Sequence, residues 1–272
     1  MKKNLIVLMM ALIAVLLVVS CAEPTMYTVT FDVDGNKTAI EAQSVEEGAK
    51  ATAPATKPTS SDKYLTFDCW SADGTTEFKF AETAITSDIT LKALWRDYKV
   101  GDDGPAGGII FYDCDADNDE ATNDGLTSSV CGWRYLEAGK TDLGNGTTYK
   151  LTWGPHNSDV YGTKTGIGEG KSNTNILKGK GIDSFPAAKA CVEYNGGGKT
   201  DWFLPSKDEL NAIYKNKAYV SNLVDGENKS YYWSSTEGTG TNWDSWGHDF
   251  YDNDVNYGER GCTFYIRPVR AF

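Results

Sequence analysis

Apolar and polar residues alternate from Tyr27 through Val29 and Phe31 to Val33, and in the same way from Ile89 through Leu91 and Ala93 to Trp95. A period of two places successive side chains on opposite faces, so each run predicts a strand with one buried face. Asp34 and Gly35 predict a turn after the first run, while Glu46, Glu47 and Gly48, and the stretch from Pro54 to Pro58, predict turns and loops between the two. Residues 27–96 thus read as a small β domain, with Trp70 and Trp95 filling its core.

A longer pattern covers residues 98–272. The glycine-rich stretch 101–108 leads into an apolar run at 109–112. It has no Gly-Lys-Ser/Thr ending and no helix follows, so it predicts a tight turn before a strand rather than a phosphate loop. Residues 132–138 predict the next strand, and 140–181, rich in Gly, Asn, Thr and Lys, predict loops with short strands at most. Two helices follow. Pro186 suits a first turn, and Asn195-Gly196 stops that helix. The second opens on Ser206 and Glu209, spaced as a capping box, with Leu210, Ile213 and Tyr214 as its apolar stripe. Strands are predicted at 231–235 and, as one final run, at 263–272. The fold class is α+β.

The N-terminus has a different character. Lys2 and Lys3 precede an unbroken apolar run from Leu5 to Val19, then Ser20 and Cys21. About 15 residues fall short of the roughly 20 that span a bilayer, and the layout is that of a signal peptide over residues 1–20. Val18-Val19-Ser20-Cys21 resembles the lipobox of bacterial lipoproteins. That resemblance implies cleavage before Cys21, lipidation of its thiol, and a tether over 21–26. Two or three acyl chains anchor a protein stably. Ala22 lacks the aspartate that retains some lipoproteins in the inner membrane, so the expected location is the cell envelope, at the outer membrane or cell surface.

The 272 residues carry a formal net charge of −12, made more negative by loss of Lys2 and Lys3. Such a field repels nucleic acid and anionic lipid, which leaves the lipid anchor as the membrane contact. The 28 glycines and 15 tyrosines fit a turn-rich β protein of the extracellular kind.

Two family resemblances follow. Tyr27, Val29 and Phe31, then Val45 to Gly48, Ala53-Pro54, Phe67-Asp68-Cys69-Trp70 and the run from Ile85 to Trp95, resemble the Listeria–Bacteroides (internalin B-type) repeat. That implies a β-grasp-like module serving as spacer or adhesive unit; Cys69 stands where the family usually has glycine. Residues 104–112, 132–138, 201–210, 232–236 and 266–270, above all the run Trp202-Phe203-Leu204-Pro205-Ser206, resemble the C-terminal domain of the Legionella collagen-like adhesin. That implies a C-type-lectin-like fold over 98–272, with two helices beside mixed antiparallel sheets and ligand-binding loops near the C-terminus. Lectin-like domains commonly join the first helix to the region before the last strand, which implies a Cys191–Cys262 disulfide. Cys114 and Cys131 flank an insertion that a second bridge would pinch, worth about 3 kcal/mol for a loop of this size. Cys69 remains as the odd thiol.

Residues that carry chemistry are harder to find. Ser234 and Ser235 lie near His248 in sequence without a nucleophile elbow, and no carboxylate pair is recognisable. No enzyme is expected. Asp113, Asp115, Asp117, Asp119 and Asp124 invite a calcium reading, since hard oxygen ligands at alternate positions suit that ion. They lack the central glycine and terminal glutamate of an EF-hand, so a solvated acidic loop without metal or cofactor is the preferred reading. The most suggestive stretch is 231–257, where tyrosine and tryptophan mix with Asn, Asp, Ser, His and Gly as in a paratope. Tyr232 and Trp233 belong to the core. Asn242, Trp243, Asp244, Trp246, His248, Asp249, Tyr251, Asn253 and Asn256 are the candidate ligand-binding set. The expected function is adhesin-like binding of an extracellular glycan or protein by an anchored lipoprotein; the alternative is a structural envelope protein or partner-binding module without a glycan ligand.

Overall fold

The computed structural model describes residues 23–35, 39–116, 126–144, 150–156, 160–226, 229–238 and 244–272. Cys21, Asp117, Asp119, Asp124, Asn242 and Trp243 lie outside them. The chain divides into two compact units, residues 1–58 with 69–94, and residues 59–68 with 95–272.

A four-stranded sheet holds β1 (Met26–Asp32), β2 (Gln43–Glu46), β3 (Leu65–Ser71) and β4 (Ile89–Asp97), in the order β2-β1-β4-β3, with residues 65–68 of β3 and 95–97 of β4 falling to the second unit. β1 runs antiparallel to β2 and parallel to β4, with Phe31 opposite Leu91. The alternation does what it predicts: Val29, Phe31, Leu91 and Ala93 are buried while Thr28, Thr30, Asp32, Thr90 and Lys92 between and beside them are exposed. Trp70 is buried with its ring edge-on to Phe31 at 4.9 Å. Asp34 and Gly35 both adopt the left-handed conformation that the turn after β1 demands.

The described residues of the second unit form two sheets and four α-helices. The smaller sheet holds β5 (Ile109–Asp113) and β6 (Tyr135–Ala138), with β12 (Val269–Ala271) on the other side of β6. The larger runs β10-β9-β8-β11-β7, from β7 (Lys150–Thr152), β8 (Tyr231–Glu237), β9 (Asp244–Asp249), β10 (Asp254–Glu259) and β11 (Thr263–Tyr265). The helices are α1 (Ser128–Cys131), α2 (Gly170–Gly179), α3 (Pro186–Glu193) and α4 (Lys207–Lys215). One core joins Phe111, Leu136, Phe203, Ile213, Tyr232 and Phe250; another joins Trp153, Leu177, Phe185, Leu204 and Trp233. Pro186 opens α3 and the Ser206–Glu209 capping box opens α4, as the sequence predicts.

Three expectations are corrected. The loop predicted through 140–181 contains α2, held by tertiary bonds rather than propensity. The final strand predicted at 263–272 is two strands in two different sheets. Pro268 has no N–H to give a ladder, and Arg267 beside it turns wholly inward, so the run breaks between Tyr265 and Val269. Neither predicted disulfide is formed, and the five described cysteines are thiols. Cys191 is sealed inside the α3 core while Cys262 is exposed. The buried Cys114 turns its Sγ to the Trp133 carbonyl oxygen at 3.3 Å, and burial pushes its pKa up to about 12.

Candidate functional site

The candidate set falls on the β9–β10 hairpin, which packs beside β8 and α4. β9 alternates Asp244, Trp246 and His248 on one face with Ser245, Gly247 and Asp249 on the other. In register, Trp246 sits opposite Tyr257 and Asp249 opposite Asp254, leaving residues 250–253 as the connecting loop. Asn253 closes that loop with a positive φ, and its N–H donates to the Asp249 carbonyl at 3.0 Å.

The half-buried Trp246 ring is the centre of this arrangement. The Tyr257 ring lies 4.0 Å from it, and Lys207, at the start of α4, sets its ammonium 4.3 Å from the ring centroid. The indole N–H is buried and has no hydrogen-bond partner among the described residues. His248 is buried, with its ring 4.7 Å from Tyr214 and 5.1 Å from Phe250. Its Nε2 meets Asn253 Oδ1 at 2.9 Å, so Nε2 donates and Nδ1 is left as an unpartnered acceptor. Burial holds the imidazole below the usual histidine range, which keeps it neutral.

The set therefore divides. Asp249 is a buried structural carboxylate, its Oδ1 accepting the N–H groups of Ser230 and Tyr251 at 3.0 Å each. Burial removes both His248 and Asp249 from any ligand-facing surface, and the same holds for Tyr232, Trp233 and Phe250. What remains outward is Tyr251, Asn253 and Asn256, with Tyr257 beside them and Asp244 and Trp246 half-buried behind. Lys207 and Tyr214 join this arrangement from α4, and no local signal in the sequence links them to Trp246 and His248.

The hydroxyls of Ser234 and Ser235 donate to the carbonyl oxygens of Trp246 and Pro205, at 2.9 and 3.1 Å. Asp113 is bound by Arg134 through both carboxylate oxygens, and Asp115 accepts from the N–H and hydroxyl of Ser128 at 2.7 Å each. These two carboxylates are already engaged, which counts against the calcium reading for them. No group of three His, Cys, Asp or Glu side chains among the described residues could hold a metal ion.

Three buried arginines among the described residues tie the unit together through ion pairs. Arg267 binds Asp142 at 2.8 Å and gives its remaining N–H groups to the carbonyls of Gly139, Ser221 and Asn222; Tyr232 Oη donates to the other oxygen of Asp142. Arg270 bridges Glu137 and Asp201, and Glu137 also accepts the N–H groups of Ala106 and Gly108. A Cβ at Gly108 would lie 2.3 Å from the Ala138 carbonyl oxygen, which explains a glycine there. Arg260 pairs with Glu237 and lies over the Trp153 ring.

Residues 27–94 match the family model of the Listeria–Bacteroides repeat domain, and residues 144–270 match that of the Lcl C-terminal domain. No curated protein matches the chain. β5 and β6 precede the second matched stretch, yet β6 pairs with β12 at its end, so the folded unit extends beyond it. Along the chain, a stretch that matches the Listeria–Bacteroides repeat domain is thus followed by one that matches the Lcl C-terminal domain.

Proposed function

We propose that this chain is a lipid-anchored protein of the bacterial cell surface, adhesin-like, whose second unit binds an extracellular glycan or protein without catalysis, metal or cofactor. The match to the Lcl C-terminal domain supports surface display. No helix among the described residues is long and apolar enough to cross a membrane; the attachment proposed is lipidation of Cys21, on the lipobox-like run 18–21. The parallel β1–β4 pair beside antiparallel β2 suits a β-grasp-like spacer, and two sheets flanked by helices suit a C-type-lectin-like binding unit.

The observation that carries the binding proposal is the outward rim of the β9–β10 hairpin. Tyr251 is 53% exposed and Tyr257 38%. Tyr257 packs on Trp246, itself under the Lys207 ammonium, the exposed Asn253 lies in the loop with Tyr251, and Asn256 is exposed on the opposite face of the hairpin. Rigid rings with small hydrogen-bonding groups give contact area at low entropic cost. Arraying the mature chain on glycans and matrix proteins tests this. A Tyr251→Ala, Tyr257→Ala double variant is expected to lose at least about tenfold in binding to whichever ligand is captured, the scale of one good anchor. The burial of His248 and Asp249 favours the second reading, a structural envelope protein. No capture on any array, or capture indifferent to the double variant, would select it.

A further inference from the structure

We infer a second binding site in the same unit, away from the β9–β10 rim: a recess that takes a carboxylate-bearing sugar ring. It is a cavity of about 490 Å³, open to solvent, between the outer face of α2 and the end of the small sheet. That volume lies within the range of small-ligand sites and is large enough for one or two sugar rings.

Its chemistry is specific. Trp133 and Phe272 supply a flat apolar wall. Trp133 is half-buried and lies against Gly168, where a Cβ would come within 2.9 Å of the indole. Lys171, Ser172 and Asn175 project from α2, and Lys63 faces the recess as well. All four are exposed, and no hydrogen bond or ion pair with the protein occupies any of them among the described residues. Lys63 rests on the Tyr64 ring. Lys171 acts on Asp201 only through space, because Asp201 is held by Arg270.

No acidic side chain lines the recess among the described residues, in a chain of net charge −12. Two ammonium point charges engaged in no ion pair, with no carboxylate lining the recess, favour an anion. The hydroxyl and the amide suit sugar hydroxyls, and the indole suits the C–H face of a pyranose. No arginine lines the recess, so an anion there meets two ammonium point charges rather than a guanidinium fork. A uronate ring presents one carboxylate, several hydroxyls and one apolar face, which matches this set.

The test titrates the full mature chain with di-galacturonate, the neutral disaccharide and a sulfated galactose, read by ligand-observed NMR and tryptophan fluorescence. The uronate is expected to bind about tenfold or more tightly than the neutral sugar, and to weaken as salt rises. Lys171→Gln and Lys63→Gln are each expected to weaken it about fivefold to tenfold, and Asn175→Asp, which adds a charge to the wall, to abolish it. Trp246→Ala should leave it unchanged, which separates this site from the hairpin rim. Absence of uronate binding at millimolar concentration, equal binding of the neutral sugar, stronger binding of the sulfated one, or indifference to both lysine variants would overturn the proposal.

Discussion

Glu209 closes the capping box of α4 and is wholly buried. Its oxygens accept the N–H groups of Ser206 at 2.7 Å, Gly168 at 2.9 Å and Gly170 at 3.3 Å. Burial dominates these bonds and pushes its pKa up to about 7, from an ordinary 4.5. Between those values the folded chain keeps a proton that the unfolded chain has released, so this group's contribution to stability falls as pH rises from about 4.5 to about 7 and is level above. His248 acts in the opposite sense, because its lowered pKa makes the fold less stable as pH drops below about 6.5. Urea unfolding of wild type and Glu209→Gln across pH 4 to 8 separates the two. The stability difference between them should slope through that window and vanish as a slope above it; parallel curves would contradict the assignment. The capping role of Glu209 is readable from its spacing to Ser206, but its burial is not, since the glycines that cover it come from forty positions earlier. The internal arginines leave a clearer trace: Arg267 and Arg270 interrupt an otherwise apolar C-terminal run, and charges in such a setting need buried partners.

Among the elements, β1 and β4 are legible because a single buried face writes a period of two into the residues themselves. α2 is not legible. Its ten residues include Gly170, Ser172, Asn173, Thr174, Asn175 and Gly179, all weak helix formers, and its N-cap Glu169 makes no side-chain bond. The helix is held from outside. Asn173 accepts the Lys164 N–H at 2.8 Å and donates to the Lys164 carbonyl and Ser235 Oγ, while Thr174 exchanges bonds with the Leu204 backbone. Asn173→Ala would strand these buried groups and should cost about 2 kcal/mol or more by denaturant unfolding. A cost within about 0.5 kcal/mol would mean that α2 stands without them. The aromatic stretch 231–257 is legible as β and aromatic but not as to direction. Its rings are shared between core and rim by the pleat, and only pairing with β8 and β10 fixes which face each takes.

At the scale of the whole molecule, the two-unit division follows the change in sequence character near residue 97, except that residues 59–68 group with the second unit. A single strand-length segment inside a contiguous repeat has no compositional mark, so that grouping is invisible in the linear pattern. The proposed surface anchoring rests on the chain's first residues alone. Cys21→Ala is expected to remove metabolic labelling with a radioactive fatty acid and to shift the protein from the membrane to the soluble fraction; undiminished labelling would refute the anchor. The two sheets of the second unit are stitched together by the last ten residues, with Arg267 and Arg270 locking against Asp142, Glu137 and Asp201. On the proposed export route the N-terminus leads, so residues 263–272 reach the fold after the strands they complete. Until then β6 has β5 but not β12, and three carboxylates lack their counter-charge, so the unit keeps an open sheet edge until this clasp arrives.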